Sequence, residues 1–229
     1  LEFDPTLTMR RMDRRDDRAD DALRTGPLKG DAGISMRWGA TPNLSINAAA
    51  NPDFSQIEAD AAQLNVNTRY ALYFAEKRPL FLEGADFFRT SFTAVHTRTV
   101  ADPLWGLKVT GKEAGNAIGA FVTRDQQLNL LFPSNQRSDD ASLEREVTGA
   151  VLRYRRDIGA SSTLGILATD REAGDYYNRV AGADGHVRLG ESETVRFQFL
   201  GSSTRYPDTL VADLAEEAPQ PGGSFDDVA

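Results

Sequence analysis

The sequence predicts an all-β fold in which antiparallel strands follow one another up and down, with one long insertion. Short runs of alternating apolar and polar residues fill most of the chain, and this period of two is typical of strands with one apolar face. Residues that favour turns separate these runs at short intervals. The stretch 51–88 is the one long segment that does not resemble a short strand. The sequence therefore indicates a β-barrel or a β-sandwich interrupted once.

Three strands are predicted before the insertion. The first covers residues 1–12, where Pro5 removes a backbone donor and favours an edge position. Residues 13–29 are rich in Arg and Asp and are expected to form a solvated loop. The second and third strands cover 31–40 and 43–50. Their apolar residues should share one side of the sheet: Ile34, Met36, Trp38, Leu44, Ile46 and Ala48. Ser35, Arg37, Ser45 and Asn47 should share the other.

Six further strands are predicted after the insertion, which gives about nine strands of roughly 8 to 12 residues, enough to cross a bilayer when tilted. The turn 112–116 joins the strands 104–111 and 117–125, and Gly190 joins the last two. We expect 126–144 to be a polar loop and the two tyrosines after Gly174 to lie in another loop. The remaining predicted strands are 145–156, 161–170, 180–189 and 191–203.

Alternation does not by itself separate a membrane barrel from a soluble sandwich. A sandwich core needs large apolar side chains to fill a layer about 10 Å thick. Many apolar-face residues here are alanines, and the opposite face carries Gly, Ser, Thr, Asn and Arg, as a water-filled interior would. Aromatic residues lie within or near the strand ends, where they would meet a membrane interface: Trp38, Trp105, Tyr154 and Phe199. Both folds stay open on this pattern.

Composition excludes several classes of function. The chain of 229 residues contains no cysteine, which excludes disulfides, thiolate catalysis and cysteine-bound zinc. Its two histidines exclude a site with several histidine ligands, and we expect no cofactor or metal. The formal net charge of -8 argues against an extended nucleic-acid surface. The chain begins at Leu1 rather than Met and ends in an acidic tail, so we expect a piece of a longer protein.

The insertion carries four recognisable motifs: Asn51-Pro52-Asp53-Phe54-Ser55-Gln56, Glu58-Ala59-Asp60, Glu76-Lys77-Arg78-Pro79 and Phe81-Leu82-Glu83-Gly84. In these motifs the sequence resembles a family of uncharacterised bacterial outer-membrane-type β-barrels that follow a carbohydrate-binding domain of the family-nine type. That family usually has Pro-Glu-Lys-Arg-Pro-Phe-Phe, where this chain has Ala75 and Leu80. The resemblance extends over most of residues 1–203 and is sharp only in the insertion.

The resemblance implies an all-β, antiparallel up-and-down β-barrel that is an incomplete fragment of a larger barrel. It implies a place in the outer membrane of a Gram-negative bacterium, contact with outer-membrane lipid, and binding or passage of a carbohydrate or related solute. We divide the chain into a partial barrel domain (1–209), which contains a plug-like or loop insertion (51–103), and an acidic disordered tail or loop (210–229). A soluble secreted carbohydrate-binding domain and a glycoside hydrolase are the alternatives.

Charged residues of the insertion are the candidate binding site, namely Asp53, Glu58, Asp60, Glu76, Lys77, Arg78 and Glu83. Two carboxylates about 5 to 10 Å apart would suit glycoside hydrolysis. The same residues could instead pair with Lys77 and Arg78 or line a polar surface, and spacing along the chain does not decide between these roles. We therefore assign no catalytic residue.

The motif Glu76-Lys77-Arg78-Pro79 is expected to form a rigid polar turn, because Pro79 fixes its own φ and favours extended geometry at Arg78. Large apolar residues around it are too numerous to leave in water, at about 1.5–3 kcal/mol each when fully buried. We therefore expect 51–88 to contact the polar face of the sheet. Arg153, Arg155 and Arg156 form a basic cluster that we interpret as solvated interior charge. We interpret His186 as a plain strand residue.

Overall fold

The computed structural model describes residues 1–11, 13–15, 23–52, 76–132, 139–190 and 192–208. Within them lie thirteen strands, of which nine are long. In chain order they are β1 (Glu2–Arg11), β2 (Arg14–Arg15), β3 (Leu23–Arg24), β4 (Leu28–Thr41), β5 (Leu44–Ala50), β6 (Pro103–Glu113), β7 (Asn116–Asp125), β8 (Leu128–Phe132), β9 (Asp139–Leu143), β10 (Val147–Ile158), β11 (Ser162–Ala173), β12 (Tyr176–Arg188) and β13 (Thr194–Arg205). The described residues also include the short helix α1 (Pro79–Leu82) and two 3₁₀ turns, Ala85–Phe88 and Thr97–Thr99.

The nine long strands form one antiparallel sheet in the order β1-β4-β5-β6-β7-β10-β11-β12-β13. Each long strand pairs with the next long strand along the chain, so the predicted up-and-down, all-β fold is confirmed, including the two hairpins β6–β7 and β12–β13. The pairs β2–β3 and β8–β9 form small separate hairpins between long strands. Among the described residues the sheet is open, with β1 and β13 at its edges.

Three predicted loops contain strands. The stretch 13–29 contains the short hairpin β2–β3 and the first residues of β4. The stretch 126–144 contains the hairpin β8–β9, whose Leu128 and Leu130 are buried. Both tyrosines after Gly174 begin β12, which starts at Tyr176 rather than at residue 180. The cause is Gly174, whose φ of +64° allows the chain to turn within two residues, so that tyrosines, which favour strands, pair at once with β11.

Cross-strand pairing divides the side chains between two faces, because paired residues point to the same side. The polar face carries residues such as Asn47, Lys108, Thr123, Arg153 and Asp184. The apolar face carries residues such as Met36, Leu107, Ala120, Leu152 and Ala168. The predicted sharing of faces by β4 and β5 is confirmed, since Met36 pairs with Ala48, Trp38 with Ile46 and Arg37 with Asn47.

The apolar face is exposed. Leu152, Ile166 and Phe199 keep 46%, 53% and 69% of their surface accessible, and Ile34 and Leu107 are similarly bare. In the part of the chain that the structure describes, this face is therefore not covered by a second layer, as a sandwich would require. The buried side chains lie elsewhere.

Two apolar clusters are buried. One consists of Ala49, Leu80, Phe81 and Val100 and holds α1 against β5. The other consists of Leu128, Leu130, Val147, Ala173 and Tyr176 and holds the β8–β9 hairpin at one end of the sheet. Burial thus concentrates where chain segments outside the long strands meet the sheet.

Candidate functional site

Residues 76–100, here called the crossing segment, lie on the polar face and reach from β4 to β13. Glu83 forms an ion pair with Arg37 of β4, with Oε1 3.1 Å from Nη1. The Phe88 ring packs edge-on against Phe121 of β7, with centroids 5.2 Å apart. The backbone N–H of Phe92 donates to Oε1 of Gln198 on β13 at 2.8 Å. The predicted contact between the insertion and the polar face is thus present in residues 76–88.

Four predicted site residues fall within the described part of the crossing segment. Glu76 forms an ion pair with Arg78, and Glu83 forms one with Arg37. Lys77 is exposed. Asp53, Glu58 and Asp60 lie outside the described residues. The structure therefore brings Glu76 and Arg78 together, and both described carboxylates of the set are engaged by arginine.

Arg78 anchors the crossing segment internally. Its Nε and Nη2 donate to the two carboxylate oxygens of Glu76, each at 2.8 Å, and the side chain is only 4% exposed. Nη1 and Nη2 also donate to the carbonyls of Val100 and Thr97, at the far end of the segment. Its guanidinium lies 4.5 Å from the centre of the Phe81 ring. Arg78 thus closes the segment into a loop whose two ends it holds.

The local sequence explains this position. Arg78 has extended geometry, φ −72° and ψ 127°, as expected before Pro79, and α1 begins at that proline. The Glu76 carboxylate accepts the backbone N–H groups of Lys77 and Arg78 and the hydroxyl of Thr97 at 2.6 Å. The predicted rigid polar turn is present at these residues.

Lys108 holds the crossing segment from below. This β6 residue is 1% exposed, and its ammonium donates to the carbonyls of Leu80 and Glu83 at the end of α1. Those are carbonyls that so short a helix leaves without backbone partners. A buried charge on the sheet thus satisfies the backbone of the segment above it.

Glycines on the polar face form the seats of the crossing segment. A Cβ at Gly106 would come within 2.6 Å of Cδ2 of Leu80, and one at Gly119 within 3.0 Å of the Phe88 ring. Gly84, whose φ is +62°, lies equally close to the Thr110 side chain. Glycine in a strand often marks a close approach of another group, and here the group is the crossing segment.

We expect Gly106→Ala and Gly119→Ala to destabilise the seating of the crossing segment by about 1–3 kcal/mol, because the added methyl overpacks a buried contact. Trypsin should then cleave faster after Arg89 and Arg98. Gly39→Ala is the matched control, since it lies on the same face and its Cβ would meet nothing nearer than 3.9 Å. Equal cleavage rates for all three variants would contradict the seating of Leu80 and Phe88.

Acidity should loosen the Glu76–Arg78 pair. Burial acts to raise the pKa of Glu76, but hydrogen bonds from Arg78 and Thr97 outweigh it and hold the pKa below its ordinary 4.5. A carboxyl whose folded pKa is lowered stabilises the fold above its unfolded pKa and loses this contribution as the pH falls through the folded pKa. We expect the urea midpoint of unfolding to fall as the pH drops below about 4.5, the ordinary pKa of a glutamate. Glu76→Gln should remove part of that fall, and an unchanged pH profile would contradict the assignment.

A cleft of about 240 Å³, lined by both polar and apolar residues, lies between the 94–100 end of the crossing segment and strands β7 to β13. Tyr176 and Tyr206 form part of one wall, their rings 6.4 Å apart. Arg171 donates to the carbonyls of Asn129 and Thr99 and so ties the segment to the strands. The remaining polar lining includes Thr169, Asn178, Thr204 and His96. Such a mixture of rings, hydroxyls and amides suits a small hydroxylated molecule.

Sequence reasoning missed Lys108, Arg171 and Asp184 and misjudged the arginines of β10. Arg153 is 1% exposed and forms two hydrogen bonds with Asp184 of β12, so it is not solvated. It passes over Gly165, where a Cβ would come within 2.7 Å of Nη1. Arg156 lies on the opposite face of β10 from Arg153 and donates a hydrogen bond to Oδ1 of Asn116. The available indication in the sequence was a charged residue at a polar-face position of a strand.

The fold and site define an antiparallel nine-stranded domain whose polar face holds an internal crossing segment. A family described as a domain of unknown function (DUF5916) matches residues 18–100, which include β4, β5 and the insertion. No curated protein and no solved structure matches the chain. Among the described residues, no helix has the length and apolar character needed to cross a membrane. The match supports an uncharacterised domain and assigns no reaction.

Proposed function

We propose that this chain forms part of the wall of an outer-membrane β-barrel, with the crossing segment inside it, and that the barrel binds or passes a carbohydrate or related solute. The observation that carries the proposal is the division of one sheet into an exposed apolar face and a polar face that is partly covered by its own chain. A lipid bilayer would cover the first, and a wet interior would explain the second.

The position of the apolar band supports tilted strands. One continuous row of paired residues on this face is apolar on β1 to β6 and polar or charged afterwards, apart from Tyr177: Pro5, Ile34, Ala50, Trp105, Arg124, Thr148, Glu172, Tyr177 and Arg205. A second row on this face is polar or charged from β6 to β10 and carries no polar side chain from β11 to β13: Glu113, Asn116, Arg156, Leu164, Gly185 and Phe197. The apolar band therefore runs obliquely to the paired rows.

The slope of this band has a geometric meaning. On β1 one edge of the apolar band lies at Met9, four residues to one side of the first row, to which Pro5 belongs. On β12 the same edge lies at Ala181, four residues to the other side of that row, to which Tyr177 belongs. The border thus shifts by eight residues over the seven steps from β1 to β12. About one residue per strand, at a rise of ~3.3 Å and a strand spacing of ~4.8 Å, corresponds to a tilt of roughly 35–40°. Barrel strands tilt by about 35–45°.

The cleft beside residues 94–100 supports a carbohydrate as the solute. Its lining offers hydroxyl and amide groups together with apolar side chains and two tyrosine rings, and a sugar presents hydroxyl groups on an apolar ring. The hydrolase alternative gains no such support, because Glu76 and Glu83, the described carboxylates of the predicted set, are held by Arg78 and Arg37.

Fractionation of cells that express the full-length protein tests this proposal. We expect recovery from the outer membrane only after detergent extraction, and liposomes that contain the purified protein should swell in neutral sugars faster than empty liposomes. Recovery as a stable soluble monomer from the periplasm would refute the barrel and favour a soluble carbohydrate-binding domain. Membrane recovery without sugar flux would retain the barrel and refute passage, and binding would then be measured directly.

A further inference from the structure

A second concavity, of about 510 Å³, lies on the sheet away from the crossing segment. It is lined by Ser161, His186, Arg188, Thr194 and Arg196, at the end of β12 and β13. His186 pairs directly with Arg196, and Arg188 with Thr194, so three basic side chains occupy neighbouring positions on the polar face. This basic concavity contains none of the residues that bind Arg78.

Two carboxylates near the concavity on this face are engaged elsewhere. Asp184, two residues before His186, accepts two hydrogen bonds from Arg153. Asp157 lies 2.7 Å from the ammonium of Lys112. Within the described part of the chain, neither His186 nor Arg196 has an ion-pair partner of its own. His186 and Arg196 therefore keep donor capacity for a ligand, whereas Arg188 already donates from Nε to the carbonyl of Gly190.

We propose that the basic concavity binds a small solute with a carboxylate or phosphate group, and that in the proposed barrel this solute is an acidic sugar. A guanidinium matches a planar carboxylate with two parallel N–H donors, and imidazole and hydroxyl groups can donate to the remaining oxygens. The inference deepens the proposed function and rests on it, because the polar face must line the barrel interior for the solute to arrive there.

The location favours a dissolved anion over a lipid headgroup. His186 and Arg196 lie on the polar face, whereas the neighbouring Gly185, Val187, Val195 and Phe197 lie on the apolar face that would meet lipid. A nucleic acid is a poor candidate, because the chain carries a formal net charge of -8. A compact anion therefore fits both the size and the position of the concavity.

Equilibrium binding to the full-length protein in detergent micelles tests the inference with glucose and glucuronate, which differ mainly in the carboxylate. We expect glucuronate to bind more tightly than glucose, and Arg196→Gln to weaken glucuronate binding about tenfold, as the loss of a hydrogen bond to a charged group would. His186→Gln should act in the same direction. Arg205→Gln, at the opposite end of β13 and on its other face, is the control for a general loss of positive charge and should leave binding unchanged.

Equal binding of the two sugars would overturn the inference, as would an equal loss in Arg196→Gln and Arg205→Gln, which would reveal non-specific attraction. If inorganic phosphate competes and anionic vesicles do not, the ligand is a dissolved anion. Competition by vesicles alone would overturn the proposed solute.

Because binding in micelles requires no passage, failed liposome swelling with intact glucuronate binding would refute passage only, and the reverse result would refute only this site. Circular dichroism of each variant verifies folding.

Discussion

Arg78→Ala should destabilise the protein by about 3–5 kcal/mol, because it leaves a mostly buried carboxylate without its partner. The variant loses the two hydrogen bonds to Glu76 and the bonds to the carbonyls of Thr97 and Val100 that close the crossing segment. Unfolding in urea, followed by tryptophan fluorescence in detergent, measures this loss. Cleavage by a protease within residues 76–100 should also become faster.

Arg89→Ala is the matched control. Its ion pair with Asp86 lies in the same segment, but the two side chains are 81% and 82% exposed. Exposed pairs contribute about 0–1 kcal/mol, so this variant should be nearly as stable as the unmodified protein. Similar losses in both variants would show that the crossing segment responds to charge in general and would contradict the anchoring role of Arg78.

Ile166→Arg should cost about 2–4 kcal/mol of stability in a bilayer, because it places a charge near the centre of the apolar band. Ile166 lies on β11 between Leu164 and Ala168, and Ser162 and Asp170 limit the band on either side. Folding into liposomes, monitored by heat-modified electrophoretic mobility and urea titration, measures the effect. The change would be harmless in a soluble protein, because Ile166 is exposed in the chain itself.

Ser202→Arg is the control for the other face. Ser202 is exposed on the polar face of β13, where a charge would meet water inside the proposed barrel. We expect a change below about 1 kcal/mol. Equal tolerance of arginine at 166 and 202 would refute the membrane-facing assignment. A greater loss at 202 would reverse the two faces.

Much of the sheet could be predicted because its information is local. Alternation with a period of two assigns each residue to a face, so the pairs Met36–Ala48 and Arg37–Asn47 follow once short turns make consecutive strands neighbours. The extended geometry of Arg78 before Pro79 is local in the same way, and both were expected from the sequence. The β8–β9 hairpin was missed because the turn-forming residues Pro133-Ser134-Asn135 and the polar β9 resemble a loop, although β8 itself is mostly apolar and its Leu128 and Leu130 are buried.

By itself, the sequence determined the antiparallel all-β fold, the two faces and the place of the insertion, because these depend on the spacing of residues along the chain. Only the tertiary structure decided that Glu76 is bound by Arg78, that Lys108 supports α1, and that Gly106 and Gly119 seat Leu80 and Phe88. It also decided that Arg153 reaches Asp184 across Gly165. These contacts join residues far apart in the chain, and their energies depend on burial and distance, which composition and periodicity do not contain.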